Sequence, residues 1–151
     1  MHTLNRLIYL LFIWSLVVTM ILFYPMFISI YVFLPLFIGL FGYILIIGIE
    51  KQKWHYILIS VIYFINVETN LSLPLFLMTL SSLLVYMLFY TKLTQMKWCR
   101  VCAKILLVTL LNLVCLGALL GYDFIFETTS VGLDILLVYS LLIDIVAVMV
   151  L

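Results

Sequence analysis

The chain has 151 residues, of which 69% are hydrophobic and 9% charged, with a formal net charge of +1. Soluble domains carry roughly 25% charged and roughly 45–50% apolar residues, and a fold of this size leaves too much surface exposed to hide such an excess. A water-soluble globular fold is therefore excluded, the lack of a basic footprint argues against nucleic acid, and the lipid bilayer is the expected solvent.

Six apolar segments follow one another along the chain, each near the length of about 20 residues that a bilayer core requires. The first is Leu7–Phe23. It runs on too far, and lacks the small residues of a cleavage site, to be a removable signal peptide, so a retained helix is expected. Tyr24-Pro25 predicts a tight break, because proline disfavours helix at the residue before it. Met26–Ile49 is the second segment, with Pro35 inside it as an expected kink. Trp54–Val67 is the third and is short: its 14 residues reach only about 21 Å. A polar run, Asn66 to Ser72, follows at once. Either this helix continues with its polar end buried in the bundle, or it breaks and re-enters. Non-helical backbone at that depth must be covered by protein, so both possibilities place the segment against other helices. Leu73–Tyr90 is the fourth segment, with Pro74 in its first turn. The fifth and sixth are Val101–Tyr122 and Val131–Leu151. All six are apolar around their whole circumference, which suits helices and not the alternating strands of a membrane barrel.

Lysine and arginine set the orientation. Arg6 precedes the first segment, Lys51 and Lys53 separate the second from the third, and Lys92, Lys97, Arg100 and Lys104 surround the loop between the fourth and fifth. With six spans these regions all fall on one side, and the positive-inside rule makes that side cytoplasmic. The expectation is thus a single all-α transmembrane domain over residues 1–151: about six spans in a bacterial inner membrane, both termini cytoplasmic, the third segment short or re-entrant.

Few residues could carry chemistry. Glu68, flanked by Asn66 and Asn70, could bind a cation or an amine, but an ordinary polar outer loop reads the same way. Asp134 and Asp144 lie about 80° apart on the sixth helix, with Ser140 one turn before Asp144. That line could relay protons or hold an ion. A plainer reading has Asp134 complementing the helix dipole while Asp144 pairs with Lys104 or Lys92. Cys99 and Cys102 form a C-x-x-C pair that could act as a redox dithiol, but on the cytoplasmic side, where disulfides are rare. Zinc would want four ligands, and the sequence supplies no such set. Gly117-x-x-x-Gly121 and the glycines at 39, 42 and 48 read as helix-packing positions, and Asn112 as a hydrogen-bonding residue in mid-helix. Nucleotide-binding and hydrolase motifs are missing. No cofactor is expected, and the chain reads as a non-enzyme.

The layout of segments, with the polar turn Ile65-Asn66-Val67-Glu68-Thr69-Asn70-Leu71-Ser72-Leu73 closing the third and a basic loop closing the fourth, resembles the rod-shape-determining protein MreD family. Asn66 or Glu68 stands near that family's aspartate, and Ser72 falls in its turn. The turn's glycines are replaced by Thr69 and Asn70. The resemblance implies a non-enzymatic inner-membrane scaffold in cell-shape and peptidoglycan elongation, binding a bitopic MreC-like partner. The family's fold is also similar to that of substrate-binding subunits of vitamin transporters. That similarity implies a second reading, a small-molecule-binding transporter subunit in which Asn66, Glu68 and Asn70 line an outward pocket. An accessory subunit of a secretion or motility machine, or a membrane thiol oxidoreductase using Cys99 and Cys102, would also fit a chain of this composition.

Overall fold

A computed structural model describes residues 2–31, 34–92, 100–126 and 134–150, which form helices joined by short turns with no strand among them. In chain order the helices are α1 (His2–Ile30), α2 (Ile38–Glu50), α3 (Trp54–Asn70), α4 (Leu77–Val85, prolonged by a π-helical stretch at Tyr86–Tyr90), α5 (Arg100–Phe126) and α6 (Asp134–Val150). Two stretches, Leu11–Ile28 and Val101–Phe126, are long and apolar enough to cross a membrane, by length and composition. The 13 residues of α2 reach only about 20 Å.

Several expected boundaries move, for identifiable reasons. Pro25 does not break the chain. It lies inside α1, which continues to Ile30. Proline is tolerated within a helix where neighbours take up the backbone groups it disturbs, and here the Asn66 side chain of α3 donates to the Leu22 carbonyl, 2.7 Å away and one turn before Pro25. The break comes later, between Tyr31 and Phe37. Pro35 therefore precedes α2 and does not kink it, and residues 26–49 are not one helix. On α3 the polar end is helical through Asn70, which favours a continuous helix with its polar end inside the bundle. Pro74 also stands outside its helix, since α4 begins only at Leu77.

The two irregular entries repeat one another. Leu34-Pro35-Leu36-Phe37 precedes α2 and Leu73-Pro74-Leu75-Phe76 precedes α4, the same four residues 39 positions apart. In both, the phenylalanine is left-handed: Phe37 at φ 47°, ψ 29° and Phe76 at φ 67°, ψ 4°. In both, the amide four residues on returns to the phenylalanine carbonyl, Phe41 to Phe37 at 3.0 Å and Leu80 to Phe76 at 2.9 Å. A bulky residue at positive φ costs about 1–3 kcal/mol and persists only where its surroundings hold it. The same strained turn therefore starts each short helix abruptly.

Around these entries α2 packs against α3, α5 and α6, α4 packs against α5, and α1 packs against α3. The close approach of α2 depends on its glycines. A Cβ on Gly39 would lie 2.5 Å from Asn112 Nδ2, 2.7 Å from Val108 Cγ1 and 2.9 Å from Asp144 Oδ2. Gly42 and Gly48 approach Leu111 and Ile57 in the same manner. Gly117 and Gly121 are exposed, and among the described residues nothing lies within 4 Å of an added Cβ at either. The interior combines an apolar core, with Leu45, Ile46, Phe64 and Val108 fully enclosed, with several polar side chains, and the surface carries many large apolar ones. Ser60, Glu68, Ser82, Asn112, Ser140 and Asp144 are buried, while Ile8, Phe12, Met20, Phe23 and Phe27 of α1 are exposed.

Gly39→Ala should lower stability by about 1–3 kcal/mol through overpacking, whereas Gly117→Ala should leave it within about 0.5 kcal/mol. Thermal unfolding of the two purified variants in detergent checks this, and equal melting temperatures would contradict the packing described.

Candidate functional site: two carboxylates on buried helix starts

A helix leaves its first four amides without intrahelical partners. Away from water each such group costs about 1–3 kcal/mol if nothing accepts from it. The side chains of Phe37 and Phe76, which occupy the N-cap positions of α2 and α4, make no capping bond. The acceptors come from elsewhere in the bundle.

For α4 the acceptor is Glu68, two turns back along the chain at the end of α3. It is 0% exposed. Its Oε2 accepts from the Phe76 amide and its Oε1 from the Met78 amide, both at 2.7 Å, while its backbone carbonyl accepts from Leu73 at 2.8 Å. Both oxygens of the carboxylate are thus occupied by amides at the positive end of a helix dipole. Asn70 donates to the Asn66 side chain at 2.7 Å and to its carbonyl at 2.8 Å, and Asn66 braces α1 as described. The three residues expected to line an outward pocket are engaged in holding α1, α3 and α4 together.

For α2 the acceptor is Asp144, from the other end of the chain. Asp144 Oδ2 accepts from the Gly39 amide at 2.8 Å and from Asn112 Nδ2 at 3.2 Å. Gly39 stands 39 positions before Met78, so the two carboxylates serve equivalent amides of the two repeats. One turn earlier on α6, the Ser140 hydroxyl accepts from the Leu36 amide at 3.2 Å. The carbonyls of this entry are taken by tyrosines: Tyr24 of α1 donates to Pro35 and Tyr63 of α3 to Leu36, each at 2.7 Å. Tyr63 also stacks on Phe41, centroids 3.7 Å apart.

The expected pairing of Asp144 with Lys104 or Lys92 is not what forms. Lys104 Nζ sits 6.0 Å above the Tyr43 ring, and Asp144 lies beside Asn112, in the middle of α5. Ser140 and Asp144 do share a face, as their spacing implied. Asp134 opens α6, but its side chain, like Cys99 and Lys97, lies outside the described residues. Cys102 is exposed on α5, and Cys115 is buried about 20 Å further along the same helix. Among the described residues no three His, Cys, Asp or Glu converge on a point that could hold a metal.

Sequence reasoning read Gly39 as a packing position, which it is, but missed Tyr24, Tyr63 and the two phenylalanines. The signal that would have found them is the repeated Leu-Pro-Leu-Phe, since internal repeats mark repeated structural units. Comparison with known families, curated proteins and solved structures gave no match.

Glu68→Ala leaves two buried amides without acceptors and should cost about 2–4 kcal/mol. Glu68→Gln keeps one acceptor and should cost less. The order of melting temperatures, wild type above Gln above Ala, is the check. An alanine variant as stable as wild type would show that α4 does not depend on this cap.

Proposed function

We propose that the chain is a multi-pass protein of a bacterial inner membrane that crosses it six times and works as a non-enzymatic scaffold subunit of a membrane complex. The observation that carries this reading is an apolar exterior combined with backbone groups answered from within. Large apolar side chains are exposed on α1, α3, α4, α5 and α6, while buried Glu68, Asp144 and Ser140 accept from backbone amides of the bundle. Such an exterior is unsuited to water, and lipid requires that backbone polar groups be answered within the protein.

The short helices fit this reading. A 13-residue helix cannot cross a core about 30 Å thick, but α2 together with the Leu34–Phe37 entry makes a longer path. The groups of that entry are met by Tyr24, Tyr63 and Ser140. Charge placement agrees. The Lys51–Lys53 turn, Lys92 and Lys104 lie toward one end of the bundle, where the Tyr90 hydroxyl at the end of α4 bonds the Glu50 carboxylate at the end of α2. The Glu68 turn lies toward the other. By the positive-inside rule the basic end is cytoplasmic.

A scaffold is favoured over a ligand-binding transporter subunit because Glu68, Asn66 and Asn70 are committed to holding helices and do not converge on open space. Its concrete form is the MreD-like role, resting on the resemblance of segment layout and the polar turn: a part of the cell-elongation machinery that holds a bitopic MreC-like partner.

Reporter fusions should place the Lys51–Lys53 turn in the cytoplasm and the Leu71–Ser72 turn outside. Both on one side would end the six-span reading. Gentle isolation from native membranes should recover a bitopic partner and cell-wall synthesis proteins. Recovery of an ATPase with a second membrane subunit would favour transport instead.

A further inference from the structure

Glu68 and Asp144 play the same part in the two repeats, yet their second oxygens differ. Both oxygens of Glu68 receive amides. Asp144 Oδ1 receives nothing, and neither does Asn112 Oδ1, although both atoms are buried. The two residues touch, through Asn112 Nδ2 and Asp144 Oδ2. Asp144 is 0% and Asn112 3% exposed, so water does not reach them from the surface.

An ionised aspartate can only accept, and the carbonyl oxygen of an asparagine can only accept. Turning the Asn112 amide over offers no relief. Its nitrogen also donates to the Val108 carbonyl at 3.2 Å, and a flip would set its oxygen against both that carbonyl and Asp144 Oδ2. The Leu40 amide is directed at the carboxylate but does not complete a hydrogen bond to Oδ1. Among the described residues, the two Oδ1 acceptors therefore share one dry site and neither receives a completed hydrogen bond.

A single proton resolves this. A carboxylic acid and a primary amide are complementary: the amide N–H donates to the acid carbonyl while the acid O–H donates to the amide carbonyl. The first of these bonds is already present. We propose that Asp144 is a proton-binding site, carrying its proton on Oδ1 and donating it to Asn112 Oδ1, so that α2, α5 and α6 are joined by a neutral acid–amide pair. The proton comes from water, and its loss leaves a carboxylate facing an unpaired carbonyl.

No charged side chain offers another way to neutralise Asp144 among the described residues packed around it. Tyr24 of α1 and Tyr63 of α3 are the titratable groups in electrostatic reach, with Tyr139 of α6 beyond Tyr24. The hydroxyls of Tyr24 and Tyr63 already donate to Pro35 and Leu36. From α5 the facing group is Asn112, and the entry to α2 supplies only amides. The site is a property of the fold and holds whichever complex the chain serves, so either reading can fail without the other.

The test is infrared spectroscopy of the reconstituted full chain at neutral pH, wild type against Asp144→Asn. The variant supplies an N–H where the acid supplies its O–H, so it should fold. The wild-type spectrum should contain a neutral carboxylic-acid carbonyl band that the variant lacks. Carboxylate bands in its place would overturn the proposal. Thermal stability gives a second readout. A folded state that holds a proton the unfolded state releases loses stability as pH rises, so the wild-type melting temperature should fall on going from acidic to alkaline pH, with a smaller fall in Asp144→Asn. A wild-type melting temperature that instead rises with sodium at fixed pH, while the variant's does not, would mean a bound cation and not a proton. If Asp144→Asn does not fold, Asn112→Leu keeps the acid and removes its acceptor. The band should then persist at higher wavenumber, and an unmoved band would sink the pairing.

Discussion

The fold depends on carboxylates reaching the starts of helices that begin inside the bundle. A helix start exposed to water needs no protein acceptor, whereas a buried one has up to four amides to satisfy. Here the N-cap positions are filled by phenylalanines, which have no acceptor to offer, so the acceptors must be imported. Glu68 arrives from the adjacent helix. Asp144 arrives from 105 positions away. The helix propensity of α2 alone does not produce its start. Until α6 docks, Gly39 has no partner and Phe37 has little to hold it left-handed. A contact of such sequence separation carries a loop-closure cost that local helix pairing does not.

Glycine and tyrosine complete the same junction by opposite means. Gly39 lets a carboxylate and a carboxamide come within bonding distance of a backbone, because any side chain there would occupy their space. Tyr24 and Tyr63 reach across from two helices to take the carbonyls of the entry segment, and their rings fill the core beside it. The result places irregular backbone deep in the molecule with its groups largely answered, the condition under which such backbone is tolerated in lipid. Packing and polar satisfaction are therefore one problem in this protein, since the residues that close the space also make the bonds.

The outer surface presents a different problem. The Leu11–Ile28 stretch of α1 is only 11% buried, and its exposed residues are large and apolar. With α1 tied to the rest mainly through α3, few of its contacts within the chain account for its composition. Gly117 and Gly121 face outward on α5 in the same way. In a lipid environment such faces need no protein neighbour, and in a complex they are available to one.

Composition determined a great deal by itself. A chain that is 69% apolar, without the alternating pattern of barrel strands, is expected to be helical, and its described elements are helices. The third helix, its polar end and the fifth helix were legible because local hydropathy decides them. The positions of the breaks were not. Pro25 and Pro35 give identical local signals, yet one lies within a helix and the other outside it. The difference is that Asn66 braces the turn before Pro25, whereas Tyr63, Tyr24 and Ser140 stabilise an open chain around Pro35. The roles of Glu68 and Asp144 were hidden for the same reason. Spacing along the sequence says which residues share a helix face, but which amide a carboxylate meets depends on what the opposing helix presents, and that is decided only when distant segments pack.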